Sequence, residues 1–301
     1  MRRPLFYCDH HEFPLPPEHR FPVRKYRIIR ELLAQIDAYE FVPADLAPLD
    51  EIERAHDPAY VHSFVAGALP ASMMRRIGFP WSEGLIRRTL ASVGGTLAAS
   101  RFALENGWGG NLAGGTHHAF RAEGSGFCVF NDIAIAILAL RAEAGVERAA
   151  VIDLDVHQGD GTASIFESDA NVFTVSVHGK NNFPFRKQHS RLDVELPDRI
   201  SDDEYLDQVE RILPRVFDFR PGALFYQSGV DALESDRLGR LSLSICGLER
   251  RDRVVLQACR NFGAPFVITL GGGYSDPIEL TAQAHANTFR LAAEILANTA
   301  C

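Results

Sequence analysis

Lysine is scarce in this 301-residue chain: it occurs only at positions 25, 180 and 187, so arginine supplies nearly all the positive charge of a protein whose formal net charge is -8. Codon composition alone would explain the arginine bias. Nucleic-acid binding needs clustered cations against phosphates, and an acidic balance argues against it. Long apolar runs are also missing. The longest uninterrupted one, residues 133–140, is far short of the ~20 residues needed to cross a bilayer. Arg2 and Arg3 are followed by Cys8, Asp9, His10, His11 and Glu12 rather than by the apolar core of a signal peptide. We therefore expect a cytoplasmic protein with no membrane or nucleic-acid partner. The five cysteines (8, 128, 246, 259 and 301) stand singly without a C-x-x-C pair, which disfavours a disulfide framework and a cysteine zinc site and suggests mostly buried thiols.

What is present is ordinary globular composition, 46% hydrophobic and 23% charged, enough to bury a large core. No repeat, low-complexity tract or Gly/Ser linker divides the chain, so a single domain over residues 1–301 is expected. Tyr26, Ile29, Leu32, Leu33 and Ile36 fall at helical spacing after a proline-rich stretch. Asp57-Pro58 reads as an N-cap with proline at the first helical position. A long helix is expected over 83–105 although Gly94-Gly95 costs about 1 kcal/mol per glycine relative to alanine, a cost that close backbone packing would explain. Further helices are expected over 131–144 with Gly145 as the stop, from a Ser201…Glu204 capping box with Pro214 ending or kinking it, and over 248–262 and 278–297. Between them, residues 149–156, 172–178, 223–228 and 265–270 are short apolar runs without alternation. Such strands imply a mainly parallel sheet buried on both faces by helices, and function then gathers beyond the strands' carboxyl ends.

The densest chemical signal is Asp153-Leu154-Asp155-Val156-His157-Gln158-Gly159-Asp160-Gly161. In extended conformation Asp153, Asp155 and His157 would project to one side. Burying two carboxylates together is costly and a divalent cation would remove the cost; a hydrogen-bonded polar cluster at a strand end is the competing reading. A second signal is Gly114-Gly115-Thr116-His117-His118, whose imidazoles suit general base and acid roles, although an exposed histidine pair would look the same. A third is Gly271-Gly272-Gly273-Tyr274, where a phenol could donate to a developing oxyanion or merely pack. A fourth is Gly229-Val230-Asp231. Together they supply what metal-assisted amide hydrolysis requires. No G-x-S-x-G elbow and no G-x-G-x-x-G fingerprint supports the serine-hydrolase or dinucleotide alternatives.

These segments, with Gly126-Phe127-Cys128-Val129-Phe130-Asn131-Asp132 and Ser176-Val177-His178, resemble the zinc-dependent histone deacetylase family, including its acetylpolyamine amidohydrolase relatives. Phe21 to Tyr26, with Asp236-Arg237-Leu238-Gly239-Arg240-Leu241-Ser242, is most similar to the class IV branch and its bacterial counterparts. The resemblance implies a three-layer arginase/deacetylase-like α/β fold. It implies one catalytic zinc held by Asp155, His157 and Asp231, with Asp153 orienting His117 and Asp160 orienting His118. It also implies metal-activated water attacking the acyl carbonyl, His118 as base and then acid, and Tyr274 stabilising the oxyanion. A structural potassium ion would sit at Asp153, Asp155, His157, Ser176 and Val177. Gly126, Phe127 and Phe183 would line an acyl-lysine channel. No counterpart is found for the early-loop acidic residue that grips the substrate backbone in several members. The expected substrate is an acyl-lysine peptide or protein, with acetyl or longer acyl groups. Alternatives are a small acylated amine such as an acetylpolyamine, drawn to an acidic surface, a binuclear manganese ureohydrolase, and a non-catalytic acyl-lysine binding module.

Overall fold

The structure, a computed structural model, describes residues 2–296; Ala297, at the end of the last expected helix, and Cys301 lie outside them. Eight strands form one all-parallel sheet in the order β2-β1-β3-β8-β7-β4-β5-β6. They are β1 (Arg3–Tyr7), β2 (Tyr39–Pro43), β3 (Trp108–Asn111), β4 (Ala149–Asp153), β5 (Val172–Gly179), β6 (Leu192–Leu196), β7 (Ala223–Gln227) and β8 (Phe266–Thr269). The helices are α1 (Arg24–Leu33), α2 (Leu49–Glu53), α3 (Pro58–Val65), α4 (Ala71–Ile77), α5 (Glu83–Asn106), α6 (Asp132–Ala144), α7 (Asp160–Ile165), α8 (Asp202–Asp218), α9 (Ile245–Phe262) and α10 (Ile278–Leu296).

Alternation along the buried strands divides the core in two. Ala150 and Ile152 of β4, Leu224 and Tyr226 of β7, and Phe266 and Ile268 of β8 enter one apolar cluster with α1, α8, α9 and α10. Ala149, Val151, Ala223, Phe225 and Val267 enter the other, with α5 and α6. Both faces of each strand are thus apolar, which is why these runs show no polar alternation in sequence.

The four expected strands are present, and four more join them. Of these, β3 is short and half glycine, and β1, β2 and β6 are only partly buried, so none carries a continuous apolar signal. Asp57 caps α3 as expected, accepting from the Ala59 N–H at 2.8 Å, and Gly145 closes α6 in the left-handed conformation. The Ser201–Glu204 capping box opens α8, yet Pro214 lies inside the helix, which continues to Asp218. Close packing does account for the glycines of α5: a Cβ on Gly94 would come within 1.9 Å of the Asp45 carbonyl oxygen. Cys8, Cys128 and Cys259 are buried and Cys246 is exposed. No described helix is long and apolar enough to cross a membrane.

Candidate metal centre and acyl channel

Strand β4 ends at Asp153, earlier than the expected 149–156, so Asp155 and His157 do not lie on an extended strand. Asp153 Oδ1 accepts the Asp155 N–H at 3.1 Å, and Asp155 Oδ1 accepts the His157 N–H at 3.0 Å. Each carboxylate captures the backbone two residues on, the Asx-turn habit, and this pulls the chain out of the sheet ladder. Asp153 meets His117, while Asp155 and Asp231 meet His157.

Asp155, His157 and Asp231 bring one ligand atom each to within 4.8 Å of one another, and all three are buried. His157 Nδ1 lies 3.0 Å from both Asp155 Oδ1 and Asp231 Oδ2. The remaining oxygens are held by backbone: Gly272 N–H donates to Asp155 Oδ2 at 2.7 Å and Val156 N–H to Asp231 Oδ1 at 2.9 Å. Gly272 must be glycine, since a Cβ there would fall 1.9 Å from Asp231 Oδ2. Burial, reinforced by the charge of Asp155, pushes the Asp231 carboxyl up to about 7. Burial works against protonation of His157, but hydrogen bonds to Asp155 and Asp231 and their charges raise its imidazole to about 10. Two buried carboxylates and an imidazole nitrogen converging in this way are a donor set that fits a divalent cation, whose charge would offset their mutual repulsion.

The histidine pair lies beside this triad. His117 Nδ1 donates to Asp153 Oδ2 at 2.7 Å, His118 Nδ1 donates to Asp160 Oδ1 at 2.6 Å, and the two Nε2 atoms are 3.1 Å apart. With both Nδ1 positions engaged by carboxylates, a single proton can sit between the Nε2 atoms. Burial opposes charge on both rings; Asp153 and Asp155 nevertheless raise His117 to about 9, whereas burial and the neighbouring His117 lower His118 to about 4. His118 is the neutral member, its Nε2 facing that of His117.

Tyr274 is buried beside them. Its backbone N–H donates to Asp236 Oδ2 at 2.6 Å, and Asp236 Oδ1 accepts from Leu238 at 2.8 Å and Gly239 at 2.9 Å. Asp236 thus ties its own turn to the tyrosine loop. Burial, with Asp231 and Asp155 nearby, holds the phenol well above its ordinary pKa, so it is a donor at neutral pH. Gly126, Phe127, Phe183 and Tyr274 line a cleft that reaches His118 and His157. Phe183 packs edge-on to His118 at 5.0 Å between ring centroids, and Phe127 lies 6.2 Å from Tyr274. Asp153 and Ser176 are register partners on β4 and β5, with Val177 next on β5.

Three supporting residues were not evident from sequence. Lys25, buried on α1, donates to the Gly271 and Gly273 carbonyls at 3.1 and 3.5 Å, holding the glycine loop, and burial lowers its ammonium to about 8. Arg251, fully buried on α9, donates to the Gly229 carbonyl at 2.6 Å and pairs with Asp252 at 2.8 Å, supporting the loop that carries Asp231. Arg88 lines a cavity together with the triad, its guanidinium 4.3 Å from the Tyr26 ring centre. Lys25 stood inside an expected amphipathic helix, where a cation is normally read as solvated; its neighbourhood with two helix-face apolar residues was the only signal.

A parallel sheet clothed by helices, with carboxylates, histidines and a tyrosine gathered beyond its carboxyl ends, defines a three-layer α/β fold of the arginase/deacetylase type. A histone deacetylase domain matches residues 19–291, and the chain belongs to that family of deacetylase-type hydrolases. An uncharacterized protein of Picosynechococcus is 42% identical over 299 residues, 97% of this chain and 99% of that protein. Histone deacetylase 2 of Arabidopsis thaliana is 34% identical over 186 residues, 60% of this chain and 48% of its own length. The chain thus spans about half the length of that relative. In fold, an acetylpolyamine aminohydrolase from Burkholderia pseudomallei superposes with a TM-score of 0.81 at 21% identity, over 97% of this chain and 99% of that one.

Proposed function

We propose that the protein is a zinc-dependent deacylase that hydrolyses the amide of an acetylated or longer-acylated lysine side chain. One observation carries the reading: two carboxylate-tethered histidines with Nε2 atoms 3.1 Å apart stand beside the buried Asp155, His157 and Asp231. Bound there, the metal would supply Lewis acidity toward the acyl carbonyl and the attacking water. The chain's own residues do the rest. Phe127 and Phe183 flank the aliphatic stem of the lysine and keep water from the amide. His118 Nε2 takes the proton from water as its oxygen adds to the carbonyl carbon, while Asp160 steadies the imidazolium. The Tyr274 phenol donates to the oxygen that becomes negative. His118 then delivers its proton to the departing amine as the C–N bond breaks, leaving carboxylate and free lysine. Asp153 holds His117 as a fixed positive neighbour.

Asp153, Asp155, His157, Ser176 and Val177 are proposed to hold a potassium ion that steadies the β4–β5 end. The likeness of residues 21–26 and 236–242 to the class IV branch gains a physical role in Lys25 and Asp236, which hold the glycine–tyrosine loop from two sides. A single candidate ligand group among the described residues favours one catalytic ion over a binuclear manganese centre.

Metal-quantified protein should hydrolyse matched acetyl-, medium-chain- and long-chain-acyl lysine peptides, the panel ranking the acyl groups. Binding of acyl-lysine without turnover on any peptide or acylated polyamine would overturn the proposal in favour of a binding module.

A further inference from the structure

The cleft that reaches His118 and His157 is also lined by five arginines, Arg20, Arg75, Arg76, Arg237 and Arg240, and by no aspartate or glutamate. All five are exposed. They come from three separate parts of the chain: the loop before α1, helix α4, and the turn after Asp231. Arg76 pairs with Glu123, Arg240 with Asp198 at 3.6 Å and Arg237 with Asp276 at 3.9 Å, partners that lie outside the lining. Arg20 and Arg75 enter no ion pair among the described residues. The molecule as a whole is acidic at -8, so this mouth opposes its own background. A concave surface focuses the field of its charges, and guanidinium forks bind carboxylates in two-point contacts. Beside the arginines stands Phe185, 86% exposed, a flat apolar contact for a passing chain.

We propose that the mouth selects an acidic peptide segment, an acyl-lysine flanked by aspartate or glutamate, and disfavours polycationic acylamines. The inference rests on the deacylase reading and names the substrate class it serves. A net acidic surface drawing acetylpolyamines to the site is the opposite expectation, and the local charge is of the wrong sign for it.

The test uses the zinc-loaded 301-residue chain and three fluorescent acetyl-lysine peptides with acidic, neutral or basic flanks, together with an acetylated polyamine as competitor. Affinity is read by anisotropy, independently of turnover, and kcat/KM is measured in parallel at low and high salt. The acidic peptide should bind at least about tenfold more tightly than the basic one at low salt, with the gap closing as salt rises. The Arg20→Gln/Arg75→Gln/Arg240→Gln variant, checked for an unchanged melting profile, should bring that ratio close to one. Equal affinities, or tighter binding of the basic peptide or the polyamine, would overturn the selection of acidic segments. Charge-blind turnover of all three peptides would do so while leaving the deacylase reading standing; ranked binding without any turnover would do the reverse.

Discussion

The floor of the site and its mouth are built on opposite principles. On the floor the side chains are buried, mostly acidic or imidazole, and both oxygens of Asp153, Asp155 and Asp231 are tied to a backbone N–H or a ring nitrogen at 2.7–3.1 Å. At the mouth they are exposed guanidiniums, two of them without an ion-pair partner among the described residues. Burial makes the floor intolerant, since removing one member leaves an uncompensated charge in low dielectric. Exposure makes the mouth adjustable, with each contact screened by water and salt. Chemistry and selection can therefore be altered independently, and mutations should separate them.

The largest expected effect is on the floor. His118→Gln, which cannot carry the proton, should lower kcat by about 10² to 10⁴ with KM little changed, measured on an acetyl-lysine peptide; an equal rise in KM would mean that His118 chiefly binds substrate. Next comes the support beneath it. Arg251→Met leaves Asp252 buried without its cation and should destabilise the fold by about 3–5 kcal/mol in urea unfolding, whereas a neutral result would show that Tyr226 and Thr288, which also donate to Asp252, suffice. Metal removal tests the donor set. Zinc at 100-fold over its dissociation constant should raise wild-type stability by about 2.7 kcal/mol, and Asp231→Ala should abolish the rise; a persisting rise would place the ion elsewhere. Smallest is Asn131→Ala, which removes the cap of α6 and the side-chain bonds to Thr162 and Ala119. It should cost about 2 kcal/mol and leave kcat near the wild-type value, since none of those bonds reaches the triad.

The same contrast governs what could be read from sequence. Asp153 to Asp160 stood out because polar residues interrupt an apolar run within eight positions, and burial of such a run forces its polar members to find partners. His117, Asp231 and Tyr274 followed because each comes just after a strand or a glycine turn. The departure at Asp155 and His157 has a local cause: sequence spacing assumed a continuing strand, while the Asx turns at Asp153 and Asp155 end it. Strands β2 and β6 were missed because they lie at the sheet edges, β1 because it is only partly buried, and β3 because half of it is glycine, each of which removes the continuous apolar signal. Pro214 lies within α8, which it does not end. The mouth was illegible for another reason. Its arginines are exposed residues far apart in the chain, and only the topology brings Arg20, Arg75 and Arg240 to one cleft.

The most direct measurement is kcat for zinc-loaded wild-type and Tyr274→Phe proteins on one acetyl-lysine peptide, with metal content determined for both. Removal of the phenol hydroxyl should lower kcat by about 10² to 10³ at one zinc per chain in each. Equal turnover in the two proteins would contradict the assignment of the oxyanion donor and, with it, the proposed chemistry of the floor.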